Sequence, residues 1–134
     1  MTGSNDGAVI DRMFAALSAG DLAAAAACYT PDARIWHSFD CVAHDLNGIT
    51  AEWEGLVANF PQRDFVDVRR QQTPDGFVQQ HVMTGTTASG ARRAWPVCIV
   101  VRVEGGRIAR LDEYIDRAGA FEPPVGEPLR TPGL

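Results

Sequence analysis

Apolar residues recur at helical spacing near the start of the chain, where Ile10, Met13, Phe14 and Leu17 share one face of a segment over 5–19. Ser4, Asn5 and Asp6 are available to cap this predicted helix, and Gly20 ends it. Asp21 caps a second helix running through Tyr29, with Pro31 as its stop. A strand is expected at 33–39, then a polar loop from Asp40 to Gly48. Asn47 or Thr50 can cap a third helix, which carries Trp53, Leu56, Val57 and Phe60 on one face before Pro61. From Phe65 onward the period changes to two. One strand runs to the turn Thr73-Pro-Asp-Gly76, and three more are expected at 77–86, 92–103 and 107–116. Ala88-Ser-Gly90 and Glu104-Gly-Gly106 supply the hairpin connections. The Pro-rich stretch from about Ala118 is expected to be an irregular tail. The order α-α-β-α-β-β-β-β predicts an α+β domain, with helices on one face of an antiparallel sheet.

Composition narrows the function more than the fold. At 134 residues and 46% hydrophobic, the chain is expected to form a single domain over 1–134 with one core. All 12 basic residues are arginine, which removes Schiff-base chemistry and the phosphate-loop lysine together. A net charge of −5 offers no footprint for nucleic acid. Cys28, Cys41 and Cys98 are odd in number and widely spaced, so they read as reduced, mostly buried thiols. The start lacks a signal-peptide pattern, and the longest aliphatic run, Leu22 to Ala27, is far too short to span a membrane. The expectation is a cytoplasmic protein with neither a nucleic-acid nor a membrane partner.

Strand side chains alternate between faces, so parity shows which polar groups lie among apolar ones. Glu113 shares a face with Ala109, Leu111 and Ile115, opposite Arg110, Asp112, Tyr114 and Asp116. Trp95, Val97, Ile99, Val101 and Val103 form an apolar interior face. His81 falls with Phe77, Gln79 and Met83, and His37 with Ile35 and Phe39, opposite Trp36. Three ionisable groups, His37, His81 and Glu113, therefore project from strands beside apolar residues. Burial raises a carboxylic acid's pKa and lowers an imidazole's, while pairing opposes both, which is the material of acid–base catalysis near neutral pH. A lone strand histidine is more often a satisfied structural residue, and Glu113 could instead meet an arginine at an interface. Three such groups on separate strands of one small sheet favour a joint site. His44 is expected to be exposed, or to lie over a pocket mouth. Ser38 points away from His37, which argues against a Ser–His triad. Two histidines and a glutamate could ligate a metal, but their spacing matches no metal motif, so neither metal nor other cofactor is expected.

The segments Phe14-Ala-Ala-Leu-Ser-Ala-Gly-Asp-Leu22, Tyr29-Thr-Pro-Asp-Ala-Arg-Ile-Trp-His37 and Gly105-Gly-Arg-Ile-Ala-Arg-Leu-Asp-Glu-Tyr-Ile-Asp116 carry a resemblance. They resemble the SnoaL-like branch of the nuclear transport factor 2-like superfamily, which includes polyketide cyclases, steroid isomerases, limonene-epoxide hydrolases and small dehydratases. The resemblance covers about residues 8–121. It implies a cone-shaped curved sheet wrapped around helices, a deep apolar pocket and a homodimer, but not one reaction. It places His37 at the isomerases' general-base aspartate and at the hydrolases' water-positioning asparagine. Glu113 matches an acidic member of the hydrolases' catalytic set, and His81 falls at their catalytic arginine. Met83 stands where those hydrolases carry a further aspartate. Met13 and Ile99 replace the isomerases' oxyanion-hole tyrosine and second acid, so neither arrangement is complete.

The expected function is a cofactor-independent acid–base enzyme acting on a small, largely apolar oxygenated molecule. Cyclisation, isomerisation or dehydration of a polyketide-, terpenoid- or steroid-like substrate fits that class. His37 or His81 would be the base, with Glu113 orienting an imidazole or donating a proton. Met13, Leu17, Trp53, Phe60, Met83, Trp95, Val97 and Ile99 would line the substrate pocket. The alternatives are an epoxide hydrolase with a rearranged site, or a non-catalytic module that binds a hydrophobic ligand or dimerises. The implied homodimer would use the outer sheet face around Arg110, Asp112 and Tyr114.

Overall fold

The computed structural model describes residues 6–123 and Val125, so the proposed caps Ser4 and Asn5 lie outside the described residues. Helix α1 spans Asp6–Ala19 and α2 Leu22–Ala26, followed by strands β1 (Tyr29–His37) and β2 (Ala43–His44) and helix α3 (Leu46–Asn59). Strands β3 (Gln62–Thr73), β4 (Gly76–Thr86), β5 (Arg92–Glu104) and β6 (Arg107–Ile115) complete one sheet in the order β2-β1-β6-β5-β4-β3. The architecture is α+β, with a curved sheet whose apolar face packs on the helices. Ile10, Met13 and Leu17 of α1 and Ile49 and Trp53 of α3 meet Phe77, Ile99, Val101 and Leu111 of the strands. Burying each large side chain there stabilises the fold by about 1.5–3 kcal/mol.

The chain departs from the periodicity at several points, each for a local reason. Helix α2 stops at Ala26 and Tyr29 opens β1 instead of extending the helix. Tyr29 pairs with Ile108, and the Cys28 carbonyl accepts the Ile108 N–H at 2.8 Å, so the sheet claims the segment. Pro31 is tolerated because the β1–β6 register shifts between Tyr29 and Arg34. β1 ends at His37, two residues before Phe39, where the Cys41 N–H donates to the His37 carbonyl at 2.8 Å. The expected loop over 40–48 instead contains β2, antiparallel to β1. Asp45, rather than Asn47 or Thr50, caps α3, accepting from the Gly48 N–H at 2.8 Å. β3 begins at Gln62, ahead of Phe65.

The sheet is mixed, not wholly antiparallel. β1 runs parallel to β6, with Ile35 beside Leu111 and His37 beside Glu113. Parity identifies faces but says nothing about which strands pair or in which direction. Of the expected irregular tail, the described part up to residue 123 carries regular contacts, and residues 124 and 126–134 lie outside the described residues. Asp116 caps a 3₁₀ turn at Arg117–Gly119, and Ala94 and Phe121 exchange backbone hydrogen bonds of 2.8 and 3.0 Å. Among the cysteines, Cys28 is buried, Cys98 is half-buried and Cys41 is exposed, so the expectation of mostly buried thiols holds only in part.

Candidate active site

Between α1, α3 and the concave sheet face lies a cavity of about 630 Å³. Of the expected lining residues, Met13, Leu17, Trp53, Phe60, Met83 and Trp95 border it. Val97 and Ile99 do not, because both are consumed in the packed core.

Two of the three expected ionisable residues meet at the wall. The parallel β1–β6 pairing sets His37 and Glu113 side by side on the inner face, with His37 Nε2 3.5 Å from Glu113 Oε1. Burial raises the Glu113 pKa to about 7. The His37 pKa is lowered, chiefly by burial, against the opposing pull of the Asp40 and Glu52 carboxylates. The His37 ring stacks on Phe39 with centroids 4.8 Å apart, and its Nδ1 is buried without a hydrogen-bond partner among the described residues. At neutral pH the pair therefore holds a neutral imidazole next to a carboxyl group that exchanges its proton freely.

His81 is not part of this wall. Its side chain is 1% exposed, edge-on to Phe14 and Phe65 at centroid distances of 5.0 and 5.8 Å. Those two rings stack on each other at 4.1 Å and border the cavity, leaving His81 behind them. Its Nδ1 lies 3.1 Å from the Gln79 amide nitrogen, and burial pushes its pKa down to about 4. The structure therefore does not bring His81 to the cavity wall beside His37 and Glu113. Parity gave the correct face, but two aromatic side chains from α1 and β3 intervene.

Residues outside the expected set complete the site. Tyr29 is buried at the cavity, and its phenol pKa is raised by burial and then by the Glu113 charge, so it stays a neutral hydroxyl. Reading Tyr29 as a helix end concealed it. Continuing the β1 alternation backwards from Ile35 and Ala33 would have put it on the inner face. Glu52 of α3, Phe39 and Arg117 also border the cavity, with the Arg117 guanidinium 4.3 Å above the Phe39 ring. His44 is half-buried, its Nε2 2.8 Å from Asp40 Oδ2, at the turn beside His37. Ser38 faces away and exchanges hydrogen bonds with the Ile115 backbone at 3.1 and 3.0 Å, consistent with the absence of a triad.

Residues 10–111 match the SnoaL-like domain family. The chain belongs to that family. Solved structures of the same fold align with most of this SnoaL-like chain. AclR, a candidate hydroxylase from Streptomyces galilaeus, aligns with a TM-score of 0.76 at 17% identity, over 86% of this chain and 77% of that one. IdmH, a candidate polyketide cyclase from Streptomyces antibioticus, gives 0.75 at 22% identity, over 84% and 93%. A ketosteroid isomerase-like fold protein from Catenulispora acidiphila, solved with trimethylamine, gives 0.69 at 16% identity, over 79% and 83%. No curated protein matches the sequence. Among the described residues, no helix is long and apolar enough to cross a membrane.

Proposed function

We propose that this SnoaL-like protein is a small-molecule enzyme of the cyclase or isomerase kind, with Glu113 and His37 as its acid–base pair. The observation that carries the reading is positional: a carboxyl and an imidazole 3.5 Å apart on the wall of an apolar cavity of about 630 Å³. With a pKa of about 7, Glu113 accepts a proton when ionised and returns it when protonated, both near the operating pH. His37 Nε2–H faces the carboxylate and steadies its charge. The neutral Tyr29 hydroxyl is the donor for a substrate oxygen that gains charge as the neighbouring C–H is lost. Trp53, Phe60 and Trp95 supply flat apolar walls, which suit a cyclic or polyketide-like molecule carrying a carbonyl toward Glu113. The resemblance in fold to IdmH supports that substrate class.

The test uses 5-nitrobenzisoxazole, an activated carbon acid. A base takes its ring C–H, the N–O bond breaks, and a coloured cyanophenolate is released. Glu113→Gln and His37→Ala should each lose about 10²–10⁴ in rate. His81→Leu, lying behind the aromatic wall, should retain it. Wild-type turnover persisting in Glu113→Gln, with folding intact, would sink the assignment.

A further inference from the structure

At the end of β1 the chain makes a tight turn whose side chains the acid–base reading does not use. The Cys41 N–H closes it onto the His37 carbonyl at 2.8 Å, and Cys41 adopts φ 55° to do so. The turn brings Asp40 and His44 back beside His37, and one potential ligand atom from each of the three lies within 4.8 Å of the other two. Asp40 Oδ1 accepts the Val42 N–H at 3.0 Å, which fixes the carboxylate and leaves Oδ2 turned to His44 Nε2 at 2.8 Å. His37 contributes a second, independent feature. Its Nδ1 is buried with no partner among the described residues, while Nε2 is the nitrogen turned toward Glu113 at 3.5 Å.

We propose that His37, Asp40 and His44 form a binding site for a divalent transition-metal ion of the zinc class, at the rim of the cavity. Two imidazoles and one carboxylate are the donor set that such ions take, in preference to magnesium or calcium. Bonds of about 2.0–2.1 Å require ligand atoms about 3.3 Å apart, so His37 must close on the other two by up to about 1.5 Å while the His44–Asp40 pair, at 2.8 Å, opens by about 0.5 Å. The side chains of His44 and Asp40 are 19% and 27% exposed, which leaves them room to move and gives the ion a way in. Their mutual hydrogen bond is replaced by two metal bonds. Metal on one His37 nitrogen leaves the other as a donor to Glu113, the carboxylate–histidine–metal relation that orients and strengthens such ligands. Three protein ligands leave a further coordination position open, and His37 is the ligand that borders the cavity. Among the described residues, no other group of three has this geometry.

The experiment is a titration of the full chain, freed of any affinity tag and pre-treated with chelator, with Co²⁺ followed by visible absorption. The expected result is one ion per chain, with ligand-field bands in the visible, no thiolate charge-transfer band, and displacement by Zn²⁺. His44→Gln and Asp40→Asn should each weaken binding at least about 10-fold while the far-ultraviolet circular dichroism is unchanged. Cys41→Ser should bind as the wild type does. Absence of the bands, or equal binding by wild type, His44→Gln and Asp40→Asn, would overturn the proposal and leave the trio as a hydrogen-bonded clasp. A thiolate band lost in Cys41→Ser would overturn it too, by moving the site. The readout is binding, so failure here leaves the proton-transfer reading standing, and failure of that reading leaves the metal site intact.

Discussion

Folding lifts the Glu113 pKa from 4.5 to about 7, so protons favour the native state over that interval. The stability this group contributes is complete below about pH 4.5 and is lost as pH rises through 7. His81 has the opposite sign: with a folded value of about 4 against 6.5 unfolded, it destabilises the native state as pH falls through that window. Each shift corresponds to about 3 kcal/mol at its limit, reduced for Glu113 by the 21% exposure of its side chain. Between pH 4.5 and 6.5 the two oppose each other, which flattens the wild-type profile. Urea unfolding at pH 5.0 and 7.5 should separate them. Glu113→Gln gains stability chiefly at 7.5, and His81→Leu gains relative to wild type chiefly at 5.0. Parallel shifts at both pH values would refute the assigned burial costs. The same residues mark the limit of parity. Alternation correctly put all three ionisable groups on the inner face. Whether a side chain on that face reaches open space depends on what packs over it, and for His81 that is Phe14 and Phe65.

Arg63 shows how the elements around the cavity are held in place. It is buried on β3 with no carboxylate partner among the described residues and donates to backbone carbonyls instead: Leu17 at 3.0 and 2.8 Å, Ser18 at 3.0 Å and Phe60 at 2.7 Å. These carbonyls close the C-terminal ends of α1 and α3, where a cation also meets the negative ends of the helix dipoles. One guanidinium thus sets two cavity walls against the sheet. Arg63→Met should cost about 3 kcal/mol in denaturant unfolding, because buried carbonyls lose charged donors. A cost below about 0.5 kcal/mol would mean that water replaces them. The tie was not apparent in the sequence, since Arg63 precedes the first residue assigned to β3 by periodicity. Helix α2 ends earlier than its local pattern predicts for a related reason. The alanine run favours helix locally, yet a strand partner 79 residues beyond Tyr29, Ile108, decides where the helix ends.

At the scale of the whole molecule, no described residue covers the outer sheet face in the isolated chain. Tyr114 is 50% and Val100 43% exposed, and Trp36 lies against Tyr114 at 5.1 Å. A second copy packed on this face is our proposal for the oligomeric state. Sedimentation at micromolar concentration should give twice 14.5 kDa for wild type and a shift toward monomer for Tyr114→Glu. A monomeric wild type would refute it. Local patterns, which need only near neighbours, fixed much of the architecture: helix and strand periods, the hairpin turns, the inner faces, and the inward placement of His37 and Glu113. The resemblance of three short segments to the SnoaL-like branch also pointed to the family. Tertiary structure decided everything that depends on distant partners. It paired β1 parallel with β6 and so brought His37 to Glu113, put Tyr29 on the same wall, and hid His81 behind two rings. It also folded Asp40 and His44 back over His37. Each of these is a meeting of side chains far apart in sequence or across a turn, and only the closed chain sets such distances.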